Sequence, residues 1–447
     1  MYALYSAALA LFLLITLPYW LLQMLRHGKY RAGLRQRLGA VPAVLAEGNS
    51  KRTILVHAVS VGEVVASSGV IEELQRQFPS HRVLVSTTTS TGQKLAAQRF
   101  GAENVFYFPL DFAFAVRPYI EGLRPELCVI AETEFWPNFL RLARHSGARI
   151  AVINCRISDR SFPGYKRWRF WLPRVLANVD AFLAQTDEDA RRLIAIGADR
   201  AKVRVAGNLK FDVAPRPAPA IVESLRAEFG TADAEPGPSS PRVSRPVLVC
   251  GSTVEDEEAA LLSAFRNILA TYPKAVMILA PRHPERFAEV AALVEKLGFR
   301  IWRRSLWNGE PLAGGVLLLD SIGELAPIYS QATVAFVGGS LVPRGGHNIL
   351  EPALHGVPVV TGNHYENFRD IVNFFLSHNA VRVVGLAELP LVFMELIANP
   401  EQRTTLAQNA LSAIESQRGA TARTVRALVE LMDGVRTSAA LTGKGSS

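Results

Sequence analysis

The sequence predicts an α/β protein made of two doubly wound, Rossmann-like domains, each with a parallel sheet covered by helices on both faces. Short β-rich apolar runs alternate with amphipathic stretches in two separate series, a pattern typical of parallel sheets. A stretch rich in Pro, Ser and Gly separates the two series. With 447 residues, the chain is also too long for one ordinary hydrophobic core.

Residues 1–38 are predicted to form a membrane anchor helix with a basic flank. No charged side chain occurs from Tyr2 to Leu25, and a run of this length can cross the hydrocarbon core of a bilayer. Basic residues follow the run, which is typical of a cytoplasmic flank and favours anionic lipids. A cleaved signal peptide would begin with its basic residues instead. Pro18 leaves open whether the helix spans the membrane or lies kinked in one leaflet.

Residues 39–213 are predicted to form the first domain. Strands are expected near Thr53–Val56, Arg82–Ser86, Leu127–Ala131, Arg149–Ile153, Ala181–Ala184 and Val203–Val205. Residues 214–245 form the predicted linker, because their composition buries too little apolar surface to become ordered.

Residues 246–435 are predicted to form the second domain, followed by a flexible tail over residues 436–447. Strands are expected near Val247–Cys250, Ala275–Ala280, Val316–Leu319, Thr333–Val337 and Val357–Val360.

The composition favours an anionic partner and a reducing compartment. Lys and Arg number 49 against 40 acidic residues, an excess that suits phosphorylated metabolites, acidic lipids or nucleic acid. Nucleic acid is the weakest of these, because the basic residues concentrate beside the anchor and form no aromatic-rich stripe. Cys128, Cys155 and Cys250 lie singly within apolar runs, so we expect buried thiols rather than zinc ligands or disulfides.

Polar motifs follow most of the predicted strands, where open α/β sheets bind their ligands. The first series has HAVSVGEV, STTTSTG and ETEFWPN, and the second has GSTVEDEE, PRHPER and DSIGEL. Between Gly338 and Pro352 the chain reads GGSLVPRGGHNILEP. Glycines let backbone N–H groups approach a ligand closely, and a helix start favours negative charge, so we predict an anion site in this loop.

Seven segments of the chain, in this order, resemble the 3-deoxy-D-manno-octulosonic acid (Kdo) transferase family: HAVSVGE, ETEFWPN, INCRISDRSF, GNLKFD, GST, PRHPER and GGSLVPRGGHNILEP. The resemblance extends from the anchor to about residue 430. It implies the GT-B fold with a cleft between its domains, and inverting transfer of Kdo from CMP-Kdo to lipid A precursor at the cytoplasmic face of the Gram-negative inner membrane. It also implies acceptor groups in the N-terminal half and nucleotide groups in the C-terminal half.

Glu63 is the candidate general base for the acceptor hydroxyl, because it follows a strand beside Gly62 and begins a helix. Position alone equally suits a helix-capping carboxylate, and the resemblance of the VGE motif favours the base. A helix N-terminus would lower its pKa. The remaining acceptor-side candidates are Ser60, Gly62, Thr88, Glu132 and Glu134, the last two being expected to point the same way on extended backbone.

The candidate donor site combines cations with backbone and hydroxyl donors, which suit phosphate or carboxylate groups. Its residues are Lys210, Ser252, Thr253, Arg282, His283, Gly345, Gly346, His347, Asn348 and Glu351. By resemblance, Glu351 accepts hydrogen bonds from the ribose, while a first-turn carboxylate that favours the helix dipole is an equally compatible role.

We predict neither a cofactor nor a catalytic metal. Asp187 and Asp189 have DxD spacing, but they begin an amphipathic helix, where acidic residues are favourable without any metal. His283 and His347 lack companion ligands at metal spacing. The alternatives to Kdo transfer are a UDP-sugar glycosyltransferase acting on another lipid, a soluble nucleotide-sugar 2-epimerase, and a non-enzymatic nucleotide binder at the membrane.

Overall fold

The computed structural model describes residues 1–27, 32–46, 52–212, 219–230 and 245–442. The chain divides into two compact units, one of Met1–Val213 with Gln417–Ser447 and the other of Ala214–Ser416. Parts of the predicted basic flank (Lys29 and Arg31), of the predicted linker (residues 214–218 and 231–244) and of the predicted tail (residues 443–447) lie outside the described residues.

The N-terminal unit is built on a seven-stranded parallel sheet. Its strands are β1 (Arg52–His57), β2 (His81–Thr87), β3 (Val105–Tyr107), β4 (Pro125–Ala131), β5 (Arg149–Cys155), β6 (Ala181–Ala184) and β7 (Val203–Val205). They are arranged in the order β3-β2-β1-β4-β5-β6-β7. Two separate clusters of buried apolar side chains pack on its strands. The strand order reverses between β1 and β4, which is where doubly wound sheets bind ligands.

The second unit repeats this architecture with another seven-stranded parallel sheet. Its strands are β8 (Val247–Thr253), β9 (Val276–Pro281), β10 (Arg300–Arg303), β11 (Gly315–Leu318), β12 (Val334–Val337), β13 (Val359–Gly362) and β14 (Arg382–Val384). Their order is β10-β11-β9-β8-β12-β13-β14. The reversal here lies between β8 and β12, so each unit has one such point.

Helices connect the strands in both units. The helices up to the end of the first series are α1 (Tyr2–His27), α2 (Leu34–Arg37), α3 (Ala43–Ala46), α4 (Val61–Gln77), α5 (Ser90–Phe100), α6 (Ala113–Leu123), α7 (Pro137–His145), α8 (Phe162–Arg167), α9 (Leu172–Leu176) and α10 (Asp187–Ala195). Those that follow are α11 (Ala220–Phe229), α12 (Glu258–Thr271), α13 (Phe287–Lys296), α14 (Leu325–Ile328), α15 (Leu350–Ala353), α16 (Arg369–Ser377), α17 (Leu389–Ala398), α18 (Pro400–Gln417) and α19 (Ala420–Thr442).

The structure confirms every strand that the sequence predicted, to within a few residues, and adds β3, β10 and β14. All three of these lie at a sheet edge. An edge strand pairs on one side only and can be short, so its sequence carries a weak apolar signal. The three buried cysteines are free, as predicted.

Two predicted boundaries are corrected. The second domain does not extend to residue 435, because α19 packs against the N-terminal unit through Val425, Leu428 and Met432. The first part of the predicted tail belongs to this helix, which continues to Thr442. Within the predicted linker, α11 packs into an apolar cluster of the second unit. In both cases an apolar helical face is buried against residues distant in sequence.

The apolar helix α1 is long enough to cross a membrane, judged by length and composition, over Tyr2–Leu22. Its first turn is bonded to the N-terminal unit. Asn178 Nδ2 donates a hydrogen bond to the Tyr2 hydroxyl at 3.3 Å, and Asn138 Nδ2 donates to Ser6 Oγ at 3.1 Å. The start of α1 is therefore fixed to the folded unit, while large apolar side chains farther along it are exposed.

Candidate functional site

Glu63 lies at the start of α4, directly after β1, and its carboxylate caps that helix. The N-cap residue Ser60 donates a hydrogen bond from Oγ to Glu63 Oε1 at 2.9 Å, and the backbone N–H of Val59 donates to Oε2 at 2.7 Å. The capping role that position alone allowed is therefore present. Each oxygen accepts one of these bonds, and a carboxylate offers about four acceptor positions. The geometry consequently leaves this carboxylate able to accept a proton.

The environment of Glu63 makes it a stronger base than its position predicted. Burial, followed by the negative charge of Glu132, raises the pKa of Glu63 to about 7. The hydrogen bonds from Val59 and Ser60 oppose this rise but do not cancel it. The prediction that the helix N-terminus lowers this pKa was wrong, because sequence position does not reveal burial. A pKa near neutrality suits a general base.

Glu132 and Glu134 follow β4, on the other side of the topological reversal from Glu63. Glu132 has a φ of 58°, so the chain turns there. The prediction of two side chains aligned on extended backbone is therefore wrong. The carboxylates are nevertheless close enough to interact, since the charge of Glu132 adds to burial in raising the pKa of Glu134. Together with Glu63 they form a group of three glutamates at the carboxyl ends of β1 and β4.

Lys210 lies beside these glutamates in the N-terminal unit. Its Nζ is 3.6 Å from Glu132 Oε1, although we predicted it with the groups that bind the donor. The turn that carries Lys210 is held by Asn154, whose Oδ1 accepts a hydrogen bond from the backbone N–H of Leu209 at 3.1 Å. Sequence analysis missed Asn154 as a positioning residue. The available signal was a polar residue within the apolar strand β5.

The other acceptor-side candidates adjoin the Ser60 cap. A Cβ atom at Gly62 would meet only Ser60 Oγ, at 3.8 Å, so this glycine leaves open space beside the helix start. Thr88 is half-buried, and its backbone N–H donates to the Val59 carbonyl at 3.1 Å. The carbonyl of Thr88 accepts a hydrogen bond from the Arg37 guanidinium. Ser60, Gly62 and Thr88 are thus placed together around the β1–α4 and β2–α5 connections.

In the second unit, the first part of the glycine-rich loop already holds an anion, the carboxylate of Glu257. Its oxygens accept backbone hydrogen bonds from Gly339 at 2.7 Å, from Ser340 at 2.8 Å, from Leu341 at 2.8 Å and from Val254 at 3.0 Å. Glu257 is fully buried at 0% exposure. The predicted anion cradle is therefore occupied internally between Gly339 and Leu341, and an external anion must bind elsewhere. Sequence analysis missed the role of Glu257, although it lies in the GSTVEDEE motif.

The second part of the loop places His347 near Arg282 and His283. Burial, followed by the charges of Arg282 and His283, lowers the pKa of His347 to about 4, so its ring is neutral at pH 7. His347 Nε2 is buried and has no hydrogen-bond partner within the described residues. Arg282 and His283 are exposed, and in the described part of the chain neither forms an ion pair. This group can bind an anion from solvent.

The backbone around His347 requires glycine. Gly345 and Gly346 have φ values of 88° and 73°, and a Cβ at Gly345 would lie 2.3 Å from the side-chain amide of Asn367. Asn348 Oδ1 accepts a hydrogen bond from the backbone N–H of Leu350 at 3.2 Å. Its Nδ2 lies 3.5 Å from Glu351 Oε1. The helix that follows, α15, is a single turn, so it contributes a smaller dipole than the predicted helix start implied.

Ser252 and Thr253 are the last residues of β8. This strand lies next to β12 in the sheet, at the point where the strand order reverses. Ser252 has a φ of 57° and is half-buried. Thr253 is fully buried, and its hydroxyl donates to Glu258 Oε1 at 2.9 Å. A ligand would therefore meet backbone groups here rather than the Thr253 hydroxyl.

The two aspartates with DxD spacing begin α10. Asp189 Oδ1 accepts a hydrogen bond from the backbone N–H of Ile157 at 2.9 Å, and its Oδ2 accepts one from the N-cap hydroxyl of Thr186 at 2.6 Å. The capping interpretation is confirmed for Asp189, while Asp187 is exposed. Over the described ranges, no group of three or more His, Cys, Asp or Glu residues is arranged to hold a metal ion.

Residues 32–213 match the family model described as 3-deoxy-D-manno-octulosonic-acid transferase (kdotransferase). The chain is 35% identical over 414 residues to the 3-deoxy-D-manno-octulosonic acid transferase of Bordetella pertussis, covering 89% of each chain. It is 32% identical over 404 residues to the enzyme of the same name from Haemophilus influenzae, covering 88% of this chain and 90% of the relative.

Solved structures with much lower sequence identity share the fold. A glycosyltransferase from Rickettsia africae matches with a TM-score of 0.53 at 13% identity, covering 86% of this chain and 98% of its own. The UDP-GlcNAc 2-epimerase from Neisseria meningitidis matches with a TM-score of 0.53 at 17% identity, covering 85% of this chain and 99% of its own. The predicted GT-B-type fold of two Rossmann-like units is thereby confirmed.

Proposed function

The chain belongs to the 3-deoxy-D-manno-octulosonic acid (Kdo) transferase family, whose members are glycosyltransferases, and we propose that it transfers Kdo from CMP-Kdo to lipid A precursor (lipid IVA) with inversion. The assignment of roles rests on Glu63, which is a buried carboxylate with a pKa of about 7. It lies at the point where the strand order of the first sheet reverses. This step belongs to the assembly of the inner core of lipopolysaccharide.

On the acceptor side, Glu63 removes the proton from a glucosamine hydroxyl as the new glycosidic bond forms. With a pKa of about 7 it is roughly half ionised at neutral pH, and it is held in place by Ser60 and the Val59 amide. Glu132 has two effects in this proposal. Its charge raises the basicity of Glu63, and it pairs with Lys210, which fixes the cation at this end of the sheet.

On the donor side, the bond between the anomeric carbon of Kdo and the phosphate oxygen breaks, and CMP leaves with the electron pair. Arg282 and His283 are solvent-exposed and beside the neutral ring of His347. Cationic and N–H donors that are already in place stabilise the charge of a departing phosphate. No metal ion is needed in this scheme, because these side chains supply the positive charge and the donors.

We further propose that α1 holds the protein at the cytoplasmic face of the inner membrane. The helix is apolar over Tyr2–Leu22, and the chain that follows it is basic, which favours the cytoplasmic side. The related transferases come from Gram-negative bacteria. A membrane location brings the enzyme to a lipid acceptor. A nucleotide-sugar 2-epimerase acts on a soluble substrate, so such an enzyme would not need an apolar helix of this kind.

The test is a transfer assay with the purified full-length chain in nanodiscs. CMP-Kdo and tetraacylated lipid A precursor are supplied, with and without a chelator, and UDP-sugars are tried as alternative donors. We expect Kdo-modified lipid and CMP in equal amounts, with no effect of the chelator. Turnover of a UDP-sugar instead of CMP-Kdo would contradict the proposed donor, and loss of activity on chelation would contradict the metal-free scheme.

A further inference from the structure

The exposed aromatic side chains of the protein are unevenly distributed. Among the described residues, every large aromatic side chain that is exposed lies in the N-terminal unit, and two of them belong to α1 itself. The other three are Phe114, Trp168 and Phe170, which are 63%, 56% and 71% exposed. Trp168 and Phe170 are two residues apart in the short connection between α8 and α9. Aromatic side chains with this exposure are typical of interaction surfaces.

The end of α8 and the same connection carry unpaired positive charges. In the sequence KRWRF, Lys166 and Arg167 precede Trp168, and Arg169 separates Trp168 from Phe170. All three cations are exposed. Within the described ranges none of them forms an ion pair. Interleaved basic and aromatic side chains suit the interface of an anionic bilayer, where aromatic rings lie at headgroup level and cations bind lipid phosphates.

This connection is continuous with α1 through a chain of ring contacts. The ring of Trp168 lies 6.4 Å from that of Phe170 and 6.4 Å from that of Trp171. Trp171 in turn lies 6.2 Å from Tyr5 in the first turn of α1. An apolar helix and a basic aromatic segment thus meet on one surface of a single folded unit.

At its other end the connection adjoins the glutamate group. Tyr165, in α8, lies close to Glu134, whose charge adds to burial in raising the pKa of the Tyr165 hydroxyl. Its ring is 6.1 Å from Phe135. Residues 165–171 therefore run from the candidate acceptor site to the docked start of α1.

We propose that residues 166–170 form a second membrane-contacting element, which binds the surface of an anionic bilayer in addition to α1. Trp168 and Phe170 enter the interface, and the three cations contact lipid phosphates. This proposal depends on the proposed function in one respect only, which is that the acceptor lipid lies in the same membrane. Its consequence is that the glutamate group is held near the headgroup layer, where a lipid-linked sugar is accessible.

The experiment uses a polarity-sensitive fluorophore on a single introduced cysteine. The natural cysteines are buried and free, and burial raises the pKa of each thiol, so Phe170→Cys is labelled selectively. The full chain is placed in nanodiscs of phosphatidylcholine with or without phosphatidylglycerol, some with nitroxide-labelled lipid. The matched control is Ile322→Cys, since Ile322 is 80% exposed in the second unit.

We expect nitroxide lipid to quench the probe at position 170 several-fold more than the probe at 322, and more strongly in anionic discs. Each cation near an anionic surface contributes about fivefold to partitioning, so the double variant Lys166→Glu, Arg169→Glu should reduce the anionic effect at least about tenfold. Equal quenching at 170 and 322 would overturn the proposal, as would equal quenching in neutral and anionic discs. Quenching that requires added lipid A precursor would replace it with an acceptor-binding site. None of these readouts depends on Kdo transfer, so a failed transfer assay is a separate result.

Discussion

Replacing Glu63 with glutamine removes the proposed base while keeping its size. General base catalysis contributes about 10²–10⁴-fold to rate, so kcat for Kdo transfer should fall by that factor. In the unmodified protein, kcat/KM should fall about tenfold per pH unit below pH 6, because the pKa of Glu63 is about 7 and only the ionised form accepts a proton. The Glu63→Gln variant should not show this decrease in kcat/KM at acidic pH.

The same substitution has an unusual expected effect on stability. Burial raises the pKa of Glu63 from 4.5 to about 7 on folding, so the folded protein binds this proton more tightly than the unfolded chain. Stability is therefore lost as pH rises through this window, by about 3 kcal/mol in total. Glutamine does not titrate, so the variant avoids this loss of stability. Its weaker helix cap lowers the free energy of unfolding by about 1 kcal/mol. The variant should be less stable than the parent at pH 4.5 and more stable at pH 8.

Both results can be measured on one pair of proteins with one control. Radiolabelled Kdo transfer gives the rate between pH 5 and 9, and thermal denaturation between pH 4.5 and 9 gives the difference in midpoint. The control is Glu72→Gln on the same helix, whose carboxylate is exposed and lies 3.5 Å from Arg99 Nε. Glu63→Gln with more than a tenth of the parent kcat would refute the base assignment. A variant less stable than the parent at every pH would refute the raised pKa.

Three further substitutions test the surroundings of these sites. Glu132→Gln removes the charge that helps to raise the pKa of Glu63, so the acidic limb of kcat/KM should move to lower pH, and an unmoved limb would contradict the coupling. Glu257→Gln places an amide N–H₂ against backbone donors, and calorimetry should show CMP binding weakened at least about tenfold, whereas unchanged binding would separate this loop from the donor site. Asp189→Asn should lower the free energy of unfolding by about 1 kcal/mol, because it weakens the α10 cap. Per folded molecule, Kdo transfer by this variant should stay at the parent rate, with or without EDTA. A lower rate per folded molecule would indicate that the aspartates bind a metal.

The sequence identified the strands of the two sheets well because buried parallel strands are almost uniformly apolar. It missed β3, β10 and β14, which pair on one side only, and it placed α19 in the wrong unit. The apolar stripe of α19 shows that the helix is buried, but not that it packs on residues more than 200 positions away. Local pattern determines the element, whereas the partner depends on tertiary structure.

Glu63 and Glu257 show why the chemistry of a site is harder to predict than its location. Each follows the first strand of its sheet, begins a helix and lies at the point where strand order reverses. Glu257 accepts four backbone hydrogen bonds, so its lone pairs are used and it organises the loop. Glu63 accepts two and lies near two further glutamates that raise its pKa. Burial raises the pKa of both carboxylates, so what separates them is that Glu63 keeps lone pairs free to accept a proton. The two equivalent carboxylates therefore differ in their chemistry through their neighbours, which only the folded structure brings together.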